Sequence, residues 1–160
     1  MMKEDKSNYN GAVVLGLNDA LVEISGALVG LSFAFAEAKL IATVGLITGF
    51  AAALSMAASE YLSAEEEGRK KPIKAASYTG IAYLLAVFLL VTPYFLITNV
   101  YTATGIMFTI VIIIIASYTK YDSRIHKESF KKKFTKMLAI TLSVSVISFL
   151  FGMLVKKLTI

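Results

Sequence analysis

Apolar residues fall along the chain in five blocks: Gly11 to Phe35, Leu40 to Leu62, Ala75 to Ile97, Thr102 to Tyr118 and Met137 to Leu154. A run of about 20 such residues crosses roughly 30 Å of hydrocarbon at about 1.5 Å per residue. Inside hydrocarbon every backbone N–H and C=O must find its partner within the chain, so the blocks predict five transmembrane α-helices. Short turns are expected at 36–39 and 98–101, and longer charged loops at 63–74 and 119–136. The expected fold class is all-α, a polytopic membrane protein with one five-helix transmembrane domain over 1–160. Within that pattern, Pro93 is expected to kink the third helix. The unbroken apolar run Ile110 to Ile115 is expected to face lipid.

Composition strengthens this reading. The chain is 57 % apolar and 17 % charged, with mean hydropathy +0.71, against about 45–50 % and about 25 % in soluble domains. The first apolar stretch is interrupted by Asn18, Asp19 and Glu23, so no cleavable signal peptide is expected. Without cysteine, and with His126 as the single histidine, the chain has no disulfides, thiolate metal sites or multi-histidine sites. No nucleophile, base and orienter set converges and no cofactor motif is present, so neither an enzyme nor a tightly bound cofactor is expected.

The net charge of +5 is a matter of placement, because the basic residues cluster at the ends of apolar blocks. This points to a bilayer and not to nucleic acid. With the N-terminus inside, the inner segments hold Lys3 and Lys6, then Arg69, Lys70, Lys71 and Lys74. They also hold Lys120, Arg124, Lys127, Lys131, Lys132, Lys133 and Lys136. The outer segments hold only Lys39, Lys156 and Lys157. Lys and Arg in short loops stay cytoplasmic, so N-in, C-out is expected. The stretch 122–136, with Ile125, Phe130 and Phe134 among basic residues, reads as a surface helix on anionic headgroups or as an orientation-setting loop.

The chemistry lies in the first two helices. Asp19 and Glu23 sit inside a membrane span, where a charged residue costs about 2.5–3.5 kcal/mol. Ala12, Gly16, Asp19, Glu23, Gly26 and Gly30 share one helix face. Gly16, Gly26 and Gly30 are therefore expected to form a close-packing face, read as the contact between two copies of the helix. On the second helix Gly45, Gly49, Ala52, Met56 and Glu60 share a face, followed by Glu65, Glu66 and Glu67. Counted inward at the helical rise, Met56 lies roughly 6 Å, Asp19 roughly 12 Å and Glu23 roughly 18 Å from the inner boundary. Carboxylates with a thioether suit a weakly held divalent transition ion, ferrous iron being a borderline case. Met56 reads also as packing, Glu60 as an interfacial residue, and Glu65 to Glu67 as a solvated turn or a metal-entry cluster.

At these residues the sequence resembles the vacuolar iron transporter family. Gly16-Leu17-Asn18-Asp19-Ala20 is similar to the family's first-helix signature, and Ser55-Met56-Ala57 with Glu60-Tyr61 and Ser63 to its second. The resemblance implies a homodimer of five-helix protomers that moves Fe2+ or Mn2+ out of the cytoplasm in exchange for protons. Asp19, Met56 and Glu60 fall on positions implied to contact metal. Ala20 and Ser59 stand where relatives carry glycine, and Glu23 where many carry a small hydroxyl residue. The segment 63–74 replaces a glutamate-rich helical domain. A proton-coupled multidrug exporter and a structural or regulatory membrane protein are the alternative readings. The expected location is the plasma membrane of a prokaryote, or a vacuolar or other organellar membrane of a eukaryote.

Overall fold

The computed structural model describes the backbone of residues 2–159 and the side chains of 10–158 other than His126. Lys3, Lys6 and the His126 side chain, which entered the charge and metal arguments above, lie outside the described side chains. Five helices follow one another: α1 Met2–Ala34, α2 Ala38–Glu66, α3 Pro72–Leu96, α4 Val100–His126 and α5 Phe130–Thr159. Each contains a stretch long and apolar enough to cross a membrane. No strand occurs among the described residues.

The turns follow from local chemistry. The C-terminus of α2 is a Schellman motif, in which Gly68 takes φ +67°. The Gly68 amide donates to the Glu65 carbonyl at 3.0 Å and the Arg69 amide to the Ala64 carbonyl at 2.9 Å. A left-handed residue at this position satisfies the last carbonyls of a helix, and glycine takes it without a Cβ penalty. Pro72 opens α3 in the first turn, where its missing N–H costs nothing. Asn99 caps α4 by accepting from the Thr102 amide at 3.0 Å.

Two expectations are corrected here. The segment 119–136 is not a loop, and 122–136 is not a separate surface helix, because α4 runs on to His126 and α5 begins at Phe130. Lys133 on α5 pairs with Asp122 on α4 and with Glu128 at 3.2 Å, and Phe130 stacks on Phe134 with ring centroids 5.6 Å apart. These bonds hold the charged ends of α4 and α5 together as a helical hairpin. Pro93 lies near the C-terminal end of an uninterrupted α3, with its carbonyl accepting from the Ile97 amide at 2.9 Å. It marks the end of the helix and does not divide it.

Helix α3 is the central element, packed between α1 and α2. Its buried face carries Thr79, Tyr83, Val87, Leu90 and Tyr94, all essentially without exposure. Helix α1 packs against α3 on one side and α5 on the other. The expected lipid face of α4 holds for Ile112 and Ile113, while Val111 and Ile115 are buried. One helix thus divides its apolar run between lipid and core.

Candidate functional site

The small-residue face of α1 is what lets neighbouring helices come close. A Cβ on Gly16 would lie 2.2 Å from the Thr79 carbonyl oxygen on α3, and one on Gly30 would lie 2.9 Å from the Ser148 carbonyl oxygen on α5. A Cβ on Gly26 would meet the Val144 side chain at 2.9 Å. The expectation that Gly16, Gly26 and Gly30 form a face between two copies is therefore corrected. All three are covered by α3 and α5 of the same chain. Bare backbone is needed at these points because helices associating in lipid gain mainly from close packing.

These crossings hold Asp19 and Glu23 outside the packed core. Asp19 is half-buried and Glu23 is exposed on the surface of the bundle. Tyr83, wholly buried in α3, donates its hydroxyl to Glu23 Oε2 at 2.6 Å. Beside Asp19, the side chain of Asn18 is hydrogen-bonded to Tyr118. Its Oδ1 is buried and has no partner. A buried carbonyl oxygen without a donor is an acceptor left available to a cation or water. Asp19, Glu23 and Asn18 Oδ1 each offer oxygen, the ligand type hard and borderline divalent ions take.

Glu23 is also the one charged residue among the described lining of a groove of about 730 Å³ between α1, α2 and α5. Ala27, Leu31, Val44, Phe151 and Val155 supply much of its apolar wall. A carboxylate near the middle of the first apolar span thus lines an open, largely apolar groove.

On α2 the outcome differs from the expected ladder. Gly45 and Gly49 pack tightly, with would-be Cβ contacts to Leu28 at 2.7 Å and to Val87 at 2.5 Å. Met56 is half-buried and packs against the main core. Glu60 is 6 % exposed and accepts from Arg69 Nη1 at 2.8 Å. The entry cluster is bonded too: Glu65 accepts from the Tyr61 hydroxyl at 3.2 Å, and Glu67 from Ser63 at 3.1 Å and Arg69 Nε at 2.8 Å. The Arg69 and Ser63 bonds hold the Glu67 carboxyl below its ordinary range. Among the described residues no group of three histidine, cysteine, aspartate or glutamate side chains stands close enough to hold a metal ion. The four expected ligands come from two helices, Asp19 and Glu23 from α1 and Met56 and Glu60 from α2, and Glu60 is already paired with Arg69.

Sequence reasoning missed Tyr83, Arg69 and the orphaned oxygen of Asn18. Tyr83 had a visible signal, since Thr79, Tyr83 and Tyr94 place three hydroxyls on one face of an otherwise apolar helix. Arg69 had only Gly68 before it, a turn signal whose consequence depends on where the turn points.

Apolar helices of this length, with two acids within the first span and glycine crossings around them, define an integral membrane protein. A family model described as the VIT family matches residues 10–69, covering α1, α2 and the turn after it, the part of the chain that carries the acids. Over those residues, well under half of the chain, the sequence is similar to the VIT family. A comparison with curated proteins finds no match.

Proposed function

We propose that this protein carries a divalent transition ion, Fe2+ or Mn2+, out of the cytoplasm in exchange for protons, working as a homodimer with N-in, C-out orientation. The observation that carries the reading is the pair Asp19 and Glu23, four residues apart within the apolar span of α1, with Glu23 lining an apolar groove. Intramembrane acids mark ion and proton pathways because nothing else offsets their insertion cost. Neighbouring carboxylates repel when ionised, so protons and a divalent cation compete for the same oxygens. Binding of metal then expels protons, and protons returning from the other side expel metal. One chain supplies too few ligands for a closed cage, and a second copy facing the groove supplies the rest. The basic ends of α4 and α5 rest on anionic headgroups of the plasma membrane, or of an organellar membrane in a eukaryote.

Metal uptake into proteoliposomes tests this, with iron, manganese, zinc and cobalt offered under an imposed pH gradient. Metal-dependent proton flux that disappears in Asp19→Asn supports the reading, and full flux in that variant refutes it. The groove, at about 730 Å³, is also within the size range of drug-like sites. Proton-coupled uptake of a lipophilic organic cation without metal uptake would favour the multidrug alternative.

A further inference from the structure

We infer that Arg69 is a tethered cation that occupies Glu60 in the absence of metal and must be displaced before an ion from the α2–α3 side can use that carboxylate. The inference rests on the reading of Glu60 as a metal contact. Four basic residues lie at this turn and the start of α3: Arg69, Lys70, Lys71 and Lys74. Only Arg69 is tucked in, its side chain 18 % exposed, while the three lysines are exposed. Its guanidinium reaches two carboxylates at once, Nη1 to Glu60 and Nε to Glu67, both at 2.8 Å.

The backbone brings it there. The Schellman turn at Gly68 reverses the chain as α2 ends, so residue 69 returns over the helix it has just left. Glu60, nine residues earlier, is thereby met by a cation from its own chain. Around this point Ala12, Ala64 and Ala75 pack α1, α2 and α3 together, and Thr79 Oγ1 donates to the Ala12 carbonyl at 3.0 Å. The floor beneath the pair is packed, whereas residues 65–68 of the turn are exposed.

A buried carboxylate without a partner is strongly unfavourable, and the guanidinium removes that penalty while no metal is bound. The same bonds impose a cost on entry, since an ion can reach Glu60 only in the fraction of molecules whose latch is open. Apparent affinity is lowered by that fraction. Arginine suits the task because its planar fork bonds both carboxylates and stays charged at any working pH. Glu67 holds the guanidinium at its Nε, which makes it a positioning residue for Arg69.

The test is initial-rate Mn2+ uptake by proteoliposomes containing the full chain, over a range of Mn2+ concentrations, for wild type, Arg69→Gln, Arg69→Lys and Glu67→Gln. Losing a charge-assisted bond at a buried carboxylate predicts a KM about tenfold lower in Arg69→Gln. Arg69→Lys should fall between, since lysine keeps the charge but not the fork. Glu67→Gln should lower KM less than Arg69→Gln. If Arg69→Gln fails to fold, Arg69→Lys and Glu67→Gln decide the matter by the same shift. Transport by wild type with KM unchanged or raised in the folded variants overturns the inference alone. Absence of uptake of any divalent ion by wild type overturns the functional reading, and the inference with it.

Discussion

The crossing of α1 and α5 makes a quantitative demand at Gly152. A Cβ there would lie 2.3 Å from the Gly30 carbonyl oxygen and 3.0 Å from its Cα. Ordinary contact begins near 3.4 Å, so Gly152→Ala must move the two backbones apart by about 1 Å, because neither partner is a side chain that can rotate away. Overpacking of this kind costs about 1–3 kcal/mol, and the rigid backbone partner places it near the upper end. Alanine recovers about 1 kcal/mol through better helix propensity. The net loss is about 2 kcal/mol, roughly a thirtyfold change in the folding equilibrium. Gly105→Ala is the matched control, since a Cβ on Gly105 meets nothing within 4 Å. It should be neutral or stabilising by up to about 1 kcal/mol. Unfolding by sodium dodecyl sulfate in mixed micelles, followed by far-UV circular dichroism, reads both variants. If Gly152→Ala unfolds at the same detergent fraction as Gly105→Ala, helix α5 does not seat on Gly30 as described.

Other outcomes follow from the same geometry. Tyr83→Phe removes the 2.6 Å bond to Glu23, a bond to a charged group and so worth about 1.5–3 kcal/mol. Transport should fall by about tenfold or more while helix content is kept, and an unchanged rate would remove Tyr83 from the site. Met56→Leu keeps volume and loses the sulfur, so iron and cobalt uptake should drop more than manganese uptake. Equal loss for all three ions would make Met56 a packing residue. Because bonding lowers the Glu67 carboxyl, its contribution to stability is present above the ordinary glutamate value and is lost as pH falls through the lowered one. Wild type and Glu67→Gln should therefore differ slightly in melting temperature at neutral pH and converge in acid. Single cysteines at Ser7, Glu66, Glu128 and Thr159 should show only the last labelled from outside by an impermeant reagent, and any other pattern defeats the N-in, C-out assignment.

Much of this protein is decided by the sequence acting locally. Five apolar blocks become five helices because a backbone in hydrocarbon can satisfy its polar groups only with its own near neighbours. The same local logic made Asp19 and Glu23 conspicuous, since their insertion cost is set by the span they occupy and not by what packs beside them. The helix ends were less legible. Lys120, Arg124 and Lys131 to Lys133 made 119–136 look like a loop, whereas the helices simply extend past the apolar stretch and tie their ends through Lys133, Asp122 and Glu128.

Tertiary structure alone decided which partner each small-residue face receives. Gly16, Gly26 and Gly30 announce close approach, but a stripe of glycines is equally ready for a second copy of its own helix or for α3 and α5. The choice depends on the shapes of Thr79, Val144 and Ser148, more than sixty residues away. Tyr83 and Arg69 became visible for the same reason. One meets Glu23 across sixty residues, and the other meets Glu60 only because Gly68 turns the chain back. Side-chain chemistry can be read from the order of residues; its partners exist only once the helices have packed.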